Sequence, residues 1–310
     1  GRVMQVDISV ELASGLRLKN PVMPASGTYE YGDNVNAFDP AELGAIVTKS
    51  ISLVPWPGNA PPRLCETSSG LLNAVGIPSE GLKSFRENTL PRLKKYNTDL
   101  IVSVAGKSVT EFAQVIAGLE AEEGISAYEL NFSCPNLGNG IPFATQPQLM
   151  QQALEQARQA TARPLIVKLS PNVTDIKVMA QAAEKGGADA LALINTVTGM
   201  AIDVERRRPV LGNIFGGLSG PAIKPIALRM VWETVGAVSI PVIGLGGINN
   251  TADALEFFLA GASAIQVGTA NFANPLVMLE IIKGIANYLQ ENKFTKLTDI
   301  VGLARTAIEE

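Results

Sequence analysis

Two lysines and a cysteine stand where apolar runs of the chain turn polar. Lys49 falls in Ile46-Val47-Thr48-Lys49-Ser50, Lys168 in Ile166-Val167-Lys168-Leu169-Ser170, and Cys134 in Asn131-Phe132-Ser133-Cys134-Pro135-Asn136. A lysine so placed is either a cap with its ammonium in solvent or a charge aimed at a ligand. Two of them, accompanied by the amides of Asn131 and Asn195, favour a binding site. A buried cysteine is usually a small inert hydrophobe, but beside lysines its thiol could ionise more readily and serve as base or nucleophile. None of the 310 residues is histidine. That excludes serine–histidine–aspartate hydrolysis, histidine zinc sites and any imidazole base, and leaves Cys134 as the best proton acceptor on offer. Two cysteines cannot build a disulfide framework, a four-cysteine zinc site or an iron–sulfur cluster. Cys65, in a proline-rich stretch, reads as structural.

Glycines supply a second signal. Gly244-Leu245-Gly246-Gly247-Ile248-Asn249-Asn250-Thr251 runs into a helical pattern with Asn250 or Thr251 as N-cap, and Gly268-Thr269-Ala270 follows the next apolar run. Bare N–H groups at a helix start bind anions. The alternative is tight turns that need glycine for backbone reasons. Gly106-Lys107-Ser108 lacks the earlier glycine of a phosphate loop, since Ile101 stands there. Gly244 to Asn249 fails the dinucleotide pattern at its sixth position. Arg206-Arg207-Arg208 reads as a solvated loop.

These residues need a scaffold, and the hydrophobic pattern predicts one. Val6, Ile8, Val10 and Leu12, then Leu16 and Leu18 after Ala13-Ser14-Gly15, alternate as in a β-hairpin. Eight β-rich runs follow, at 21–27, 45–50, 100–106, 127–134, 165–171, 190–196, 241–247 and 264–270. Their near-continuous apolar character is that of parallel strands covered on both faces. Helical patterns lie at 80–95, 109–123, 146–161, 174–186, 221–236, 251–260 and 275–290. Eight βα units predict an α/β fold, a (β/α)8 TIM barrel with an N-terminal β-hairpin, forming a single domain over 1–310. A doubly wound open sheet is the structural alternative. Three long loops, 51–79, 135–146 and 197–220, follow strands and so belong to the C-terminal face, where they would wall the active site. Pro55, Pro57, Pro61, Pro62 and Pro78 make the first an ordered excursion.

Lys+Arg of 25 against Asp+Glu of 29 leaves a net charge of -4 and no basic footprint for nucleic acid or an anionic membrane. No apolar run approaches the ~20 residues that cross a bilayer. The opening residues show no basic-then-apolar leader, so a cytoplasmic location is expected.

Ala25-Ser26-Gly27, Thr48-Lys49-Ser50, Asn73-Ala74-Val75-Gly76, Asn131 to Asn136, Val167 to Asn172, Ile194-Asn195-Thr196, Gly216 to Gly220 and Val267-Gly268-Thr269 resemble, in order along almost the whole chain, the dihydroorotate dehydrogenases. Cysteine at 134 is similar to class 1, since class 2 enzymes carry serine there and have an N-terminal membrane-associating extension. Gly216 to Pro225 is most similar to type 1B, the NAD-linked form, rather than the fumarate-using type 1A.

The resemblance implies FMN in the barrel mouth, its phosphate on the glycines. Ser26, Lys49, Ser50, Asn131, Lys168, Ile194, Gly220, Gly246, Gly247, Gly268 and Thr269 would line the flavin. Ser103 would join them, at a position where the family commonly has Asn. Lys168 would sit at the flavin's pyrimidine edge. Lys49, Asn73, Ala74, Val75, Gly76, Ile77, Asn131, Asn195 and Thr196 would hold the substrate, with Asn136 a further candidate. Cys134 would take the C5 proton of dihydroorotate while C6 gives hydride to flavin N5, yielding orotate in pyrimidine biosynthesis. Type 1B further implies a partner subunit carrying FAD and a 2Fe–2S cluster, which passes electrons to NAD, around a homodimer core in a heterotetramer. Ile77-Pro78-Ser79-Glu80-Gly81 departs from the family's usual Leu-Gln-Asn-Pro-Gly. Two rivals share the barrel: a Schiff-base aldolase using Lys49 or Lys168, and a docking subunit that has lost catalysis.

Overall fold

The computed structural model describes residues 5–32, 36–132 and 143–309. The chain opens with a hairpin of β1 (Val10–Ala13) and β2 (Leu16–Leu18), then runs into β3 (Val22–Pro24) and β4 (Ala45–Val47). An excursion forms β5 (Leu64–Thr67) and β6 (Gly70–Asn73). Four strands follow: β7 (Asp99–Val104), β8 (Ala127–Asn131), β9 (Leu165–Leu169) and β10 (Ala190–Leu193). A second excursion holds β11 (Val197–Met200), β12 (Ile202–Asp203), β13 (Arg208–Pro209) and β14 (Phe215–Ser219), before β15 (Val242–Leu245) and β16 (Ala264–Val267).

All eight predicted barrel strands form, in the spatial order β3-β16-β15-β10-β9-β8-β7-β4, and every ladder among them is parallel. The two ends of that sheet meet. Gly44 N donates to Val22 O at 2.9 Å, and Ser26 Oγ donates to Thr48 O at 2.8 Å. The result is a (β/α)8 barrel, not an open sheet. Alternation sorts its strand residues into two cores. Val102, Leu130, Val167 and Leu191 point outward into the helix-facing core, while Met23, Val47, Ile166, Ala192 and Ile243 line the interior.

The hairpin shares that inner cluster through Val10, Leu12, Leu16 and Leu18. Alanine is the first residue of four strands (Ala45, Ala127, Ala190 and Ala264). These small side chains leave room for the hairpin's leucines to floor the barrel at its N-terminal end. Helices cover the outside with amphipathic stripes, as in Pro147–Ala160, where Met150, Ala153, Leu154 and Ala157 are buried at helical spacing. The predicted helix at 80–95 forms in pieces. Pro91 has no N–H to donate, and Leu90 N reaches back five residues to Phe85 O, giving a π turn over Phe85–Thr89. No helix among the described residues is long and apolar enough to cross a membrane.

The structure adds one feature to the sequence reading. The stretches 51–79 and 197–220 were expected to be loops, yet they fold together into a four-stranded antiparallel sheet, β11-β14-β6-β5. Asn73 faces Gly217 and Leu72 faces Leu218 in its register. Leu72, Ala74 and Leu211 form a small buried core beneath it, with Cys65 packed against them as a structural residue. Arg206 and Arg207 lie exposed in the turn between β12 and β13, and Arg208 is the exposed first residue of β13.

Candidate active site

The C-terminal ends of the first four barrel strands are stitched together by short polar side chains. Asn131 Nδ2 donates to Ser50 Oγ at 3.3 Å, and Ser50 Oγ lies 2.8 Å from Ser103 Oγ. Ser103 N donates to Thr48 Oγ1 at 3.0 Å, and Thr48 Oγ1 donates to Lys49 O at 2.8 Å. Thr48, Ser50, Ser103 and Asn131 are all buried, while Lys49, between two buried neighbours, is exposed at the rim. The network thus orders the main chain that presents the Lys49 ammonium.

Lys168 has the opposite setting. It pairs with Asn131 across the β8–β9 ladder and is only 6% exposed. Burial pushes its ammonium below the ordinary lysine range, and the Glu129 carboxylate pulls the other way. The structure therefore separates the two lysines into an exposed point charge and a buried one.

A third group gathers after β10. Ile194 is buried, Asn195 N donates to Leu169 O at 3.0 Å, and Thr196 N donates to Asn195 Oδ1 at 2.8 Å. Asn172 ties strand ends together, donating to Ser170 Oγ at 3.1 Å and to Thr196 O at 3.2 Å. Asn73 Nδ2 donates to Gly217 O at 3.4 Å, and a Cβ on Gly217 would overlap Thr196 Oγ1. The added sheet thereby brings Asn73 and Thr196 against one glycine. Ala74 to Ile77 are held from beneath: Ala74 N donates to Arg63 O at 2.8 Å, and Asn59 Nδ2 donates to Ala74 O at 3.1 Å. A Cβ on Gly76 would meet Asn59, and Ile77 takes φ 50°.

The glycines after the last two strands divide by cause. Gly246 (φ 124°) and Gly247 (φ 73°) occupy backbone that favours glycine, and a Cβ on Gly247 would come 2.7 Å from Gly220 O. Gly220 (φ 98°) in turn packs on Gly70. These three are explained by folding alone. Gly268 is not: its φ is ordinary, and a Cβ there would meet nothing nearer than Ala25 Cβ at 3.8 Å. The space a side chain would fill is left open beside Thr269 and the short helix Ala270–Ala273. Asn250 is the N-cap of Thr251–Ala260, its Oδ1 accepting from Asp253 N at 2.8 Å. Open backbone here and a buried cation under the mouth fit an anionic, ring-bearing cofactor. Among the described residues no cluster of acidic or cysteine side chains could hold a metal ion.

Residues 9–289 match the family model described as dihydroorotate dehydrogenase. The chain belongs to the dihydroorotate dehydrogenase family. A relative from Pelobacter propionicus is 51% identical over 301 residues, covering 96% of this chain and 99% of its own length. One from Citrifermentans bemidjiense is 49% identical over 298 residues, with coverage of 96% and 97%. Another, from Lachnoclostridium phytofermentans, is 49% identical over 294 residues, with coverage of 94% and 98%. All three are named dihydroorotate dehydrogenase B (NAD(+)), catalytic subunit, in line with the type 1B resemblance. Cys134 and Asn136 lie outside the described residues.

Two side chains near this dehydrogenase site escaped the sequence reading. Glu129 and Gln266 are wholly buried in the barrel interior, Gln266 Nε2 donating to Glu129 Oε1 at 3.2 Å. A carboxylate in the middle of the apolar run Ala127-Tyr128-Glu129-Leu130 was the available signal, because a charge is seldom buried there without a partner.

Proposed function

We propose that this chain oxidises dihydroorotate to orotate for pyrimidine biosynthesis as the catalytic subunit of a type 1B enzyme. One FMN-binding barrel over 1–310 carries the reaction. The observation that carries the reading is the buried Lys168 paired across the ladder with Asn131, below a mouth whose Gly268 leaves its backbone bare. Ser26, Ser50, Ser103, Asn131, Ile194, Gly220, Gly246, Gly247, Gly268 and Thr269 would hold FMN. When bound, FMN supplies the two-electron acceptor for the C6–H bond of the substrate.

The chain's own residues do the rest. Lys49, exposed at the rim, meets the substrate carboxylate. Asn73, Asn131, Asn195 and Thr196 present amide and hydroxyl groups that suit a planar ring of alternating N–H and C=O groups, with Ala74 to Ile77 as its wall. Cys134 accepts the C5 proton, as the chain has no imidazole to do so. Lys168 would hold positive charge against the cofactor's pyrimidine edge and favour its electron-accepting chemistry. A partner subunit carrying FAD and a 2Fe–2S cluster takes the electrons on to NAD, and two such partners flank a homodimer of this chain. The relatives' names support this by calling each a catalytic subunit linked to NAD(+). The cytoplasm is the expected location.

One observation favours a second reading. A buried lysine with a lowered pKa is also what Schiff-base chemistry needs. Borohydride added with a carbonyl substrate separates the two: a covalent adduct on Lys168 supports the aldolase, and its absence alongside flavin reduction by dihydroorotate supports the dehydrogenase.

A further inference from the structure

Glu129 and Lys168 are the buried carboxylate and the buried ammonium of this barrel: among the described residues no other Asp, Glu, Lys or Arg is buried. They stand on adjacent strands, β8 and β9. Asn131 is opposite Lys168 and Glu129 opposite Ile166, while Leu130 and Val167 between them face outward. Both charged side chains therefore point into the interior, diagonal to one another across the ladder. Gln266 Nε2 holds Glu129 Oε1 at 3.2 Å and approaches Met23 Sδ at 3.6 Å. The second carboxylate oxygen, Glu129 Oε2, and the carbonyl oxygen Gln266 Oε1 are buried without a hydrogen-bond partner.

An ammonium carries three donors and no acceptor, so two orphaned acceptors and a buried cation in one interior are complementary. A buried charge left alone is costly, and a partner of opposite sign offsets that cost. Around Lys168 the other interior groups among the described residues are neutral: Ser103, Asn131 and Gln266, with Met23, Val47, Ala192 and Leu245.

We propose that Glu129, oriented by Gln266, is a positioning residue: its carboxylate keeps Lys168 protonated where that ammonium meets the flavin. The pairing rests on this chain alone, and its consequence for the flavin rests on the FMN reading above.

Two measurements separate these parts. The first is the denaturant unfolding of flavin-free native protein, Glu129→Gln, Lys168→Met and the double variant. Each single change strands one buried charge, so both singles are expected to be less stable than the double, or to fail to fold while the double folds. Additive losses would overturn the pairing. The second is the midpoint potential of bound FMN against pH in native protein and Glu129→Gln. The variant is expected to lie above native at mildly acid pH, where it has lost only a negative charge. It is expected to cross below native at mildly alkaline pH, where Lys168 has lost its proton. A constant offset at every pH would mean that Lys168 keeps its proton without Glu129, and would overturn the proposal. Native protein that binds no FMN would sink the cofactor reading and leave the pairing to the unfolding cycle.

Discussion

Thr196 leaves residue 217 no room for a methyl group: a Cβ on Gly217 would overlap Thr196 Oγ1, while Gly217 O accepts from Asn73 Nδ2 at 3.4 Å. One glycine thus contacts two side chains assigned to the substrate, Asn73 from the first excursion and Thr196 from the end of the β10 run.

Gly217→Ala is accordingly expected to displace Thr196 and Asn73 and to raise KM for dihydroorotate by roughly tenfold or more, since small misplacements of binding groups carry large costs. FMN content should stay native, because Gly217 is not among the flavin's contacts. Steady-state kinetics with a flavin count checks this. An unchanged KM would remove Asn73 and Thr196 from the substrate site.

The glycines at the phosphate end separate folding from binding. Gly247→Ala is expected to lower the stability of the flavin-free protein by about 1–3 kcal/mol, through its left-handed backbone and the contact with Gly220 O. Gly268→Ala has an ordinary φ and free space, so its flavin-free stability should match native while its FMN affinity falls. Unfolding midpoints and FMN titrations of both variants are the test. Native FMN affinity in Gly268→Ala would place the phosphate elsewhere.

Lys168 gives the fold a pH signature. Burial lowers its pKa in the folded chain below the ordinary 10.5, so between the two values the unfolded chain binds more protons. The cost of burying the ammonium is fully present below the folded pKa and fades as pH rises toward 10.5. The stability of flavin-free native protein relative to Lys168→Met should therefore climb with pH through that window and level off above it. A difference independent of pH would contradict a depressed Lys168.

Cys134→Ala is expected to retain FMN and lose turnover by about 10²–10⁴-fold near neutral pH, the range of a missing general base. Stopped-flow reduction of the bound flavin measures it. Turnover close to native would take the cysteine out of the mechanism.

The barrel was legible because its strands are covered on both faces, so Leu165-Ile166-Val167 or Ala190-Leu191-Ala192-Leu193 reads as an unbroken apolar run. Strand ends then located Ser50, Ser103, Asn131 and Lys168 as the polar set facing the mouth. The sheet built from the two excursions was hidden. Its strands are short and half-exposed, and prolines dominate the first stretch, so no single segment carries the period; only the pairing of Asn73 with Gly217, far apart in sequence, defines it. The hairpin signal at Ser68-Ser69, between Leu64–Thr67 and Gly70–Asn73, was present but weak. The pairing of Glu129 with Gln266 was hidden for a different reason, although the lone carboxylate in its apolar run marked Glu129 itself. Each is one polar residue in an apolar strand, and their meeting inside the barrel depends on closure of the sheet.

The central claim is tested most directly by the visible absorption spectrum of the purified protein before and after anaerobic addition of dihydroorotate. Flavin bands that bleach on addition are the predicted result, and they establish cofactor, substrate and direction of electron flow at once. A protein that stays colourless after reconstitution with FMN, or flavin bands that dihydroorotate leaves unchanged, would contradict it.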